Sequence, residues 1–426
     1  MRIDTGRLAT RFALLTGTAA ALLGATAGTA VAGTGGPIGT VLDSGVSGAI
    51  GNSYIVVLQP GSPGAARVAS ASARLTERYG GQVVDNYQAT VRGFHARMTA
   101  TQAGRLAADP AVRYVEQDAT VDLAATTTGH GPPPPRSGGG PPNPTWGLDR
   151  IDQPLLPLSK SYTAGSAAGV TAYVLDTGVR TSHQEFGGRA SNGWDFIDRD
   201  AVANDCNGHG THVAGTVGGS TYGVAKDVKL VAVRVLDCKG SGPYSAIIAG
   251  VDWVTAHATL PAVANMSLGG TTSKALDDAV NRSIAKGVTY AVAAGNDGRD
   301  ACRQSPADTP AAITVGAVDS TDKRASFSNY GTCLDLFAPG VRIQSAANSS
   351  NTATKVMSGT SMASPHVAGA AALVLGAHPG WTPAQVRDEL VARAGTGLVG
   401  SAGRGSADKL LYTGFLNTTA GATSPR

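Results

Sequence analysis

The sequence predicts an α/β protein in which a doubly wound, mostly parallel sheet follows a small ferredoxin-like α+β unit. The larger part is predicted by nearly continuous apolar runs that alternate with helical patterns between residues 170 and 393. The smaller part is predicted by the element order β-α-β-β-α-β over residues 53–123. The chain also holds 57 glycines among 426 residues, which indicates many tight turns.

The composition excludes several classes of protein. Charged residues make up 15% of the chain, against a usual share of about 25%, which excludes a charge-rich disordered chain and a coiled coil. The glycines show no three-residue period, which excludes collagen. The net charge is only +4, and no segment is basic enough to indicate a nucleic-acid partner.

Residues 1–32 have the features of a secretory signal peptide. Three arginines supply a positive start, and the uncharged stretch 12–32 ends in AVA, a small-x-small cleavage sequence. A membrane anchor is the alternative, but seven of those 21 residues are Thr or Gly, which is weak apolar character for a permanent span. We therefore expect a secreted, extracellular protein, with a flexible segment over residues 33–52 after the signal.

The unit over residues 53–123 is predicted to contain four strands and two helices. Its apolar runs are short, and its second helix stops before Pro110, which cannot continue a helix. The predicted strands are 53–60, 81–87, 93–98 and 112–118, and the predicted helices are 65–79 and 101–108.

Residues 124–145 lose all periodicity and are predicted to form a linker. The stretch 129–144 holds seven prolines and five glycines, a composition that favours neither a helix nor a central strand. A proline-rich ligand for another protein is the alternative, but a connection between two folded units explains the position of the stretch.

Residues 146–417 are predicted to form the doubly wound domain, and residues 418–426 a short polar tail. Ligands of such sheets bind at the carboxyl ends of the strands. The uncharged stretch 356–386 does not predict a membrane span, because its helix is too short. The predicted strands are 170–176, 228–237, 262–268, 288–294 and 312–318, and the predicted helices are 244–258, 274–286, 364–377 and 383–393.

Four cysteines occur, and all lie in the second half of the chain: Cys206, Cys238, Cys302 and Cys333. An exported chain meets oxidising conditions, so disulfides are expected. Three pairings are possible for four cysteines, and their spacing leaves all three open. A metal cluster is the alternative, but it lacks the C-x-x-C spacing that such clusters use.

Three segments each place a reactive side chain among glycines at the end of a predicted element. Asp176 ends a buried strand, His209 lies between two glycines, and Ser361 begins an alanine-rich helix. A serine hydroxyl needs a histidine to accept its proton and a carboxylate to orient the imidazole. The chain order Asp, His, Ser is that of subtilisin, whereas α/β-hydrolases run Ser, Asp, His.

The segments LDTGV, NGHGTHVAG and GTSMASPHVAG resemble the signature blocks of the subtilisin-like serine proteases, the subtilases of peptidase family S8. The segments WGLDRIDQ, GSGPYSAIIAGVDWV, NMSLGG and SFSNYG are most similar to the proteinase K branch and its aqualysin-type members. Residues 53–123 resemble the inhibitory I9 propeptide of this family. The resemblance implies Asp176 as the orienting acid, His209 as the general base and acid, and Ser361 as the nucleophile. It also implies Asn296 as the side-chain donor of the oxyanion hole.

The resemblance further implies how a protein or peptide substrate binds to a monomeric enzyme. An extended peptide would add as a strand between residues 240–244 and 267–269. The S1 pocket would lie between residues 267–269 and 293–295, and its small apolar walls predict broad specificity with apolar or aromatic P1 residues. The implied binding residues are Gly240, Gly242, Tyr244, Ser267, Leu268, Gly269, Ala294 and Gly295.

The resemblance pairs Cys206 with Cys238 and Cys302 with Cys333, and it implies calcium as a structural cofactor. Asp335 and the carbonyls of Pro310 and Ala312 would form one oxygen-lined site. Asp149, Asp152 and Gln153 would contribute to a second; solvated loop acids are the alternative for both sites. No catalytic metal is expected, because a zinc site built on His209 and His212 lacks a third ligand. His212 and His366 are expected to be structural.

The layout predicts a zymogen whose propeptide acts as an intramolecular chaperone and inhibitor. Self-cleavage near residues 123–128 would start maturation, and the mature N-terminus would lie near 124 or, after trimming, near 145. Two other interpretations stay open. An aspartic protease would use LDSG at 42–45 and LDTG at 175–178, and a binding protein would carry an inactive protease fold. Covalent labelling of the active serine separates these interpretations.

Overall fold

The computed structural model describes residues 37–61, 67–123 and 144–417. The predicted signal peptide, nearly all of the linker and the polar tail lie outside the described residues. We call the described residues up to 123 the N-terminal unit and residues 144–417 the C-terminal domain.

The N-terminal unit is an α+β sandwich in which two helices pack on one face of a sheet. The strands lie in the order β1-β5-β2-β4-β3. Apolar side chains of both helices and of the central strands form its core, including Val56, Leu75, Phe94 and Leu106. Its strands are β1 (Val41–Leu42), β2 (Ala49–Leu58), β3 (Gln82–Tyr87), β4 (Gly93–Arg97) and β5 (Val112–Asp122), and its helices are α1 (Val68–Tyr79) and α2 (Ala100–Ala107).

The segment predicted to be flexible, residues 33–52, is structured where it is described. Strand β1 pairs in parallel with Val115 and Glu116 of β5, and residues 49–52 belong to β2. The amide of Gly39 also donates to the carbonyl of Gly104 at 2.8 Å. Only two residues of β1 pair, which is too short a run to show a period of two in the sequence.

The C-terminal domain contains a nine-stranded sheet with helices on both faces, as the sequence predicts. The strand order is β16-β17-β13-β12-β11-β10-β6-β8-β7, and all pairs except β16 with β17 are parallel. The strands are β6 (Thr171–Asp176), β7 (Ala190–Asp195), β8 (Lys229–Arg234), β10 (Ala262–Met266), β11 (Val288–Ala293), β12 (Ile313–Val318), β13 (Leu336–Pro339), β16 (Gly395–Thr396) and β17 (Lys409–Leu410).

The helices divide between the two faces of this sheet. Helices α4, α7 and α8 contribute to one apolar core, and α5 and α6 to the other. Strand β9 (Ser241–Pro243) and the hairpin of β14 (Ile343–Ala346) and β15 (Thr354–Met357) lie outside the large sheet. The helices are α3 (Trp146–Ile151), α4 (His209–Gly218), α5 (Tyr244–His257), α6 (Lys274–Ile284), α7 (Thr360–Ala377) and α8 (Pro383–Arg393).

Strands β6 and β10 lie side by side where the chain changes the direction in which it adds strands. After β6 the chain builds β7 and β8 on one side, and then crosses to build β10, β11, β12 and β13 on the other. A crevice forms at such a switch point, at the carboxyl ends of the strands. Asp176 ends β6, so its position in the sheet places it at this crevice.

Helix α7 begins at Thr360, four residues before the predicted start. It is buried on all sides over most of its length, and it contains Pro365 in its second turn. Proline has no amide to donate to the carbonyl of Ser361, and that carbonyl accepts from Ser267 Oγ instead. The earlier start places Ser361 in the first turn of the helix. Within the described part of the chain, no helix has the length and apolar character needed to cross a membrane.

Candidate active site

Asp176 and His209 form a buried pair at the carboxyl end of β6. His209 Nδ1 lies 2.8 Å from Asp176 Oδ1 and 3.0 Å from Oδ2, and both side chains are almost completely buried. Gly210 allows this approach, because a Cβ there would lie 2.1 Å from the carbonyl oxygen of Gly178. The carboxylate therefore holds the imidazole with Nε2 as the atom that can accept a proton.

Ser361 lies in the first turn of α7, at a position where a backbone amide has no carbonyl one turn earlier in the helix to bind. Its Oγ donates to the carbonyl of Ser267 at 3.2 Å, and Ser267 Oγ donates to the carbonyl of Ser361 at 2.8 Å. These reciprocal bonds tie the start of α7 to the end of β10. The amides and the positive end of the helix favour negative charge beside the serine.

Asn296 follows β11 and is oriented by Thr360, a residue that the sequence analysis did not select. Asn296 Oδ1 accepts from the Thr360 amide and from Thr360 Oγ1, both at 2.8 Å. With its oxygen held, the amide must direct Nδ2 away from Thr360. The position of Thr360, directly before the predicted nucleophile, was the sequence signal that could have found it.

Two polar atoms of this site are buried and have no hydrogen-bond partner among the described residues: His209 Nε2 and Asn296 Nδ2. A buried polar atom without a partner is costly, so such atoms in a native structure require an explanation. Nε2 can accept a proton from a nucleophile, and Nδ2 can donate to a developing oxyanion. No hydrogen bond joins Ser361 Oγ to Nε2 here; catalytic hydrogen bonds often tighten only when substrate binds.

Asp205 connects the segments that carry Asp176 and His209, and sequence analysis did not find it. Its Oδ1 accepts from Thr177 Oγ1 at 2.9 Å and from the amides of residues 207 and 208. Its Oδ2 accepts from the amide of Thr211 at 2.9 Å and from Thr211 Oγ1 at 2.6 Å. One carboxylate therefore holds residues adjacent to both members of the pair.

The other two histidines near these segments lie in the protein interior. Burial lowers the pKa of His212 to about 3 and the pKa of His366 to about 4. His212 Nε2 lies 3.0 Å from the carbonyl oxygen of Ile343, and His366 Nδ1 lies 2.8 Å from that of Met362. Both rings remain neutral near pH 7, and their contacts are with backbone carbonyls.

The end of the N-terminal unit occupies the predicted substrate cleft as an added strand. Thr120, Val121 and Asp122 pair antiparallel with β9, and Val121 lies opposite Gly242. The amide of Leu123 donates to the carbonyl of Gly240 at 2.8 Å. Main-chain pairing of this kind is the β-augmentation mode of peptide binding.

The neighbours of Val121 define a small apolar subsite in this cleft. Val121 is completely buried, and a Cβ on Gly270 would lie 3.2 Å from its Cγ2 and 2.6 Å from the Tyr244 hydroxyl oxygen. Tyr244 is itself buried and donates to the carbonyl of Thr271.

The predicted S1 walls are buried and are held by backbone contacts. Leu268 and Ala294 are 2% and 0% exposed, and Asn329 Nδ2 donates to the carbonyl of Ala294 at 2.8 Å. Gly295 has φ +99°, and a Cβ there would lie 1.9 Å from Gln304 Oε1, so this position requires glycine. Gly269 lies on the opposite wall, where a Cβ would be 3.3 Å from the carbonyl oxygen of Ser305.

Carboxylates from both sides of the interface fasten the N-terminal unit to helices α5 and α6, and Glu116 and Asp118 belong to the N-terminal unit. Glu116 accepts from Ser273 Oγ and from the amide of Ala275 at the start of α6. Asp118 accepts from the amide of Ser245 at 3.1 Å and from its hydroxyl at 2.7 Å, at the start of α5. Negative side chains at helix N-termini interact favourably with the helix dipole.

The C-terminal domain contributes Asp252 of α5 and Asp278 of α6, and Asp278 Oδ2 accepts from the Tyr114 hydroxyl at 2.7 Å. Asp252 of α5 accepts from the amides of Gln88, Ala89 and Thr90 at 2.7–3.0 Å, and also from Thr90 Oγ1. Asp252 thus accepts hydrogen bonds from the N-terminal unit, whereas Glu116 and Asp118 of that unit accept hydrogen bonds from the C-terminal domain.

Two disulfides join Cys206 to Cys238 and Cys302 to Cys333, over sequence separations of 32 and 31. This is the pairing that the resemblance implies. The first disulfide closes a loop that contains the start of α4 and the amides of residues 207, 208 and 211 that donate to Asp205, so it braces the segment that carries His209.

The predicted calcium ligands around Asp335 do not fit a bound cation in this structure. Asp335 Oδ1 accepts from Arg387 Nη2 at 2.6 Å and from Nε at 3.0 Å, and Oδ2 accepts from the Thr314 amide at 2.8 Å. The guanidinium of Arg387 therefore binds Asp335, which supplies the only carboxylate of the predicted site formed by Pro310, Ala312 and Asp335. The assignment of calcium to Pro310, Ala312 and Asp335 stays a prediction.

The second predicted calcium site, formed by Asp149, Asp152 and Gln153, differs from the first in the contacts of its carboxylates. Both oxygens of Asp149 accept bonds from Ser159 and Lys160. Asp152 Oδ1 is buried and has no partner among the described residues, and burial raises the pKa of Asp152. Within the described ranges, no three acidic, histidine or cysteine side chains form a cluster that could hold a metal ion.

The fold and the site together define a class of protein. A buried Asp–His pair, a serine in the first turn of a helix and a side-chain amide beside it form the constellation of a serine hydrolase. Residues 167–417 match the Subtilase family, and residues 53–124 match Peptidase inhibitor I9. The chain belongs to the subtilase family and is a serine endopeptidase with an I9 propeptide region.

Similar proteins support this membership. The chain is 55% identical to an extracellular serine proteinase of Thermus sp. (strain Rt41A), over 79% of each chain. It is 50% identical to alkaline serine exoprotease A of Vibrio alginolyticus, over 86% of this chain and 68% of that one. It is also similar to the crystal structure of a cold adapted subtilisin-like serine proteinase, with 57% identity and a TM-score of 0.62, over 64% of this chain and 98% of that one.

Proposed function

We propose that this chain is a secreted, self-processing serine endopeptidase in which Asp176, His209 and Ser361 form the catalytic triad. The observation that carries the proposal is the buried Asp176–His209 pair, whose Nε2 has no partner among the described residues. Secretion is supported by the predicted signal peptide and by the similarity to a protein named as extracellular.

In the first half of the reaction, Ser361 Oγ attacks the carbonyl carbon of the scissile peptide bond. His209 Nε2 accepts the hydroxyl proton, and Asp176 stabilises the imidazolium that forms. The oxyanion accepts hydrogen bonds from Asn296 Nδ2 and from the backbone amide of Ser361. The tetrahedral intermediate then breaks its C–N bond, His209 returns the proton to the leaving amine, and an acyl-enzyme remains.

In the second half, water takes the place of the amine. His209 accepts a proton from the water as it attacks the acyl carbon, and the same two donors stabilise the new oxyanion. Collapse of this intermediate releases the carboxylic acid and returns the proton to Ser361 Oγ. No metal ion takes part in this scheme.

Substrates are proteins and peptides that bind as extended strands against residues 240–243. The support is the strand of Thr120, Val121 and Asp122, which pairs with β9 in this way. Binding through the main chain tolerates many sequences, and the small buried S1 walls favour apolar or aromatic P1 residues. A peptide-library profile with Arg or Asp dominant at P1 would contradict this specificity.

The N-terminal unit acts as an inhibitor and chaperone, because it fills the cleft and binds both helices that border it. An aspartic protease is a poor alternative here. Asp43 borders the same depression as Lys274 and Asp277 of α6, whereas Asp176 is engaged by His209.

The test compares the purified secreted protein with its Ser361→Ala variant by intact mass and N-terminal sequencing. We expect the wild type to lose residues up to the 123–145 region and the variant to keep its propeptide. Ser364→Ala is the matched control, because Ser364 is a buried serine of the same helix that binds Asn265 instead. It should process normally.

Two outcomes would contradict the proposal. Cleavage of wild type and Ser361→Ala at the same bond would show that a host protease matures the chain. Absence of cleavage in both, together with no covalent labelling of the wild type by a serine-directed reagent, would show an inactive scaffold.

A further inference from the structure

The Asp335 carboxylate has its counter-charge within this chain. Both hydrogen bonds from Arg387 go to Oδ1, and the Thr314 amide binds Oδ2, so each carboxylate oxygen is engaged. The side chain of Asp335 is only 10% exposed, which makes an unpaired charge there costly. The pair with Arg387 removes that cost.

Arg387 reaches Asp335 from a rigid element. Helix α8 begins with a capping box at Thr382 and has Pro383 at its first turn, two features that fix a helix start. Val386 and Leu390 of the same helix are completely buried in the core. The helix is therefore anchored on both sides of Arg387, and the guanidinium does not depend on a flexible loop for its position.

The same guanidinium borders the segment that was expected to supply the other calcium ligands. Arg387 and Ala384 of α8 line one surface depression together with Pro310 and Ala311. A divalent cation bound to Asp335 at this place would face the positive charge of Arg387 at close range. Like charges that share one carboxylate oppose each other.

We infer that the guanidinium of Arg387, and not a calcium ion, neutralises the Asp335 carboxylate, and that Pro310, Ala312 and Asp335 do not bind calcium in this chain. The inference concerns the stability of the fold and is independent of the proposed reaction. It has a direct consequence: removal of the guanidinium frees a buried carboxylate near the segment that carries Pro310 and Ala311, and carboxylate and carbonyl oxygens are the ligands that calcium prefers.

The test measures the Tm of the mature enzyme, with its active serine blocked by a sulfonyl fluoride, in chelator and in millimolar calcium. The quantity compared is the rise in Tm that calcium causes. Wild type is compared with Asp335→Asn and Arg387→Ala. Arg393→Ala is the control, because Arg393 lies on the same helix and pairs with Glu389 instead.

We expect the calcium-induced rise to be the same in wild type, Asp335→Asn and Arg393→Ala, whatever other sites contribute to it. Arg387→Ala should melt roughly 2–4 °C lower in chelator and should show a larger rise with calcium than the wild type. A smaller rise in Asp335→Asn than in wild type would overturn the inference, because Asp335 would then bind calcium beside Arg387. An equal rise in Arg387→Ala and wild type would also overturn it. If Asp335→Asn does not fold, the calcium-induced rise in Tm of Arg387→Ala, compared with that of Arg393→Ala, still tests the inference.

Discussion

At the residue scale, the site depends on side chains that hold the reacting groups and do not themselves react. Thr360 donates a hydrogen bond to Asn296 Oδ1, and the Asp205 carboxylate accepts from the hydroxyls of Thr177 and Thr211. Each of these contacts removes a rotational freedom from a group that must be in place before the substrate arrives. Pre-organisation of this kind lowers the cost of reaching the transition state.

Replacement of Asp205 by alanine should lower kcat and leave KM nearly unchanged. The five acceptor bonds that this carboxylate makes would be lost, and the Asp176–His209 geometry would loosen by fractions of an ångström. Such displacements cost up to about 100-fold in rate. Steady-state kinetics on a short peptide measures both constants. Asp200→Ala, an exposed acid five residues earlier, is the control, and equal kcat for the two variants would contradict a positioning role for Asp205.

Asp277 should make the fold less stable at alkaline pH. Burial, with the nearby carboxylate of Asp308, raises the pKa of Asp277 to about 8, whereas the pKa in the unfolded chain is about 3.9. The protonated form is therefore favoured by folding. The stability that it contributes is complete below about pH 4 and is lost as the pH rises through about 8.

The variant Asp277→Asn mimics the protonated side chain and should be more stable than the wild type at high pH. We expect the difference in free energy of unfolding to grow between pH 5 and 8 and to level off above, at on the order of a few kcal/mol. Denaturant unfolding of the serine-blocked enzyme at several pH values measures it. A difference that does not change with pH would contradict the raised pKa.

At the element scale, strand β5 has two roles along its length. Its first part pairs with β1 and β2 inside the N-terminal unit, and its last three residues pair with β9 of the C-terminal domain. The same strand carries Glu116 and Asp118, which bind the starts of α6 and α5. Inhibition and recognition are thus combined in one continuous element.

Replacement of Asp252 by alanine should weaken inhibition by the N-terminal unit and leave peptide hydrolysis unchanged. Asp252 accepts three backbone amides across the interface, and a hydrogen bond to a charged group contributes about 1.5–3 kcal/mol, which is roughly 10- to 150-fold in affinity. The lag before full activity appears after self-processing measures this release, and it should shorten. Thr255→Ala, on the same helix but bonded to Val251 and Ser283, is the control. An unchanged lag in Asp252→Ala would contradict the assignment.

At the scale of the whole molecule, distant segments meet through a few cross-links. Arg150 of α3 is almost completely buried and binds Asp322 through two nitrogen atoms, at 2.7 and 3.0 Å. This ties the beginning of the C-terminal domain to a loop 172 residues later. The two disulfides act in the same way on shorter loops.

Replacement of both Cys206 and Cys238 by serine should lower the Tm of the mature enzyme by roughly 10 °C. A closed loop of this size contributes about 3–4 kcal/mol in the chain-entropy model, and 1 kcal/mol shifts the Tm of a domain of this size by about 2–4 °C. Differential scanning calorimetry of serine-blocked samples measures the change. A Tm within 2 °C of the wild type would contradict it, and the Cys302→Ser/Cys333→Ser variant shows whether the two disulfides contribute alike.

Much of this architecture could be predicted from local patterns. The apolar runs that became β6, β8, β10, β11 and β12 are long enough to show that both faces are buried, and the predicted helices α5 and α6 lie within a few residues of their observed bounds. The catalytic candidates were visible because glycines surround reactive side chains in three short segments. These signals lie within a few residues of one another, so the sequence alone reveals them.

Other features depend on partners that are distant along the chain. Strand β1 forms by pairing with the edge of β5. Asp205 acts through its hydrogen bonds with Thr177 and Thr211. The counter-charge of Asp335 is Arg387, which lies 52 residues away on α8. The calcium site at Asp335 is predicted from its ligands alone, and the contact with Arg387 on which our inference rests cannot be seen in the local sequence. Local pattern determines which elements form, whereas packing decides which charges and hydrogen-bond donors meet, because those contacts are made only after the elements have assembled.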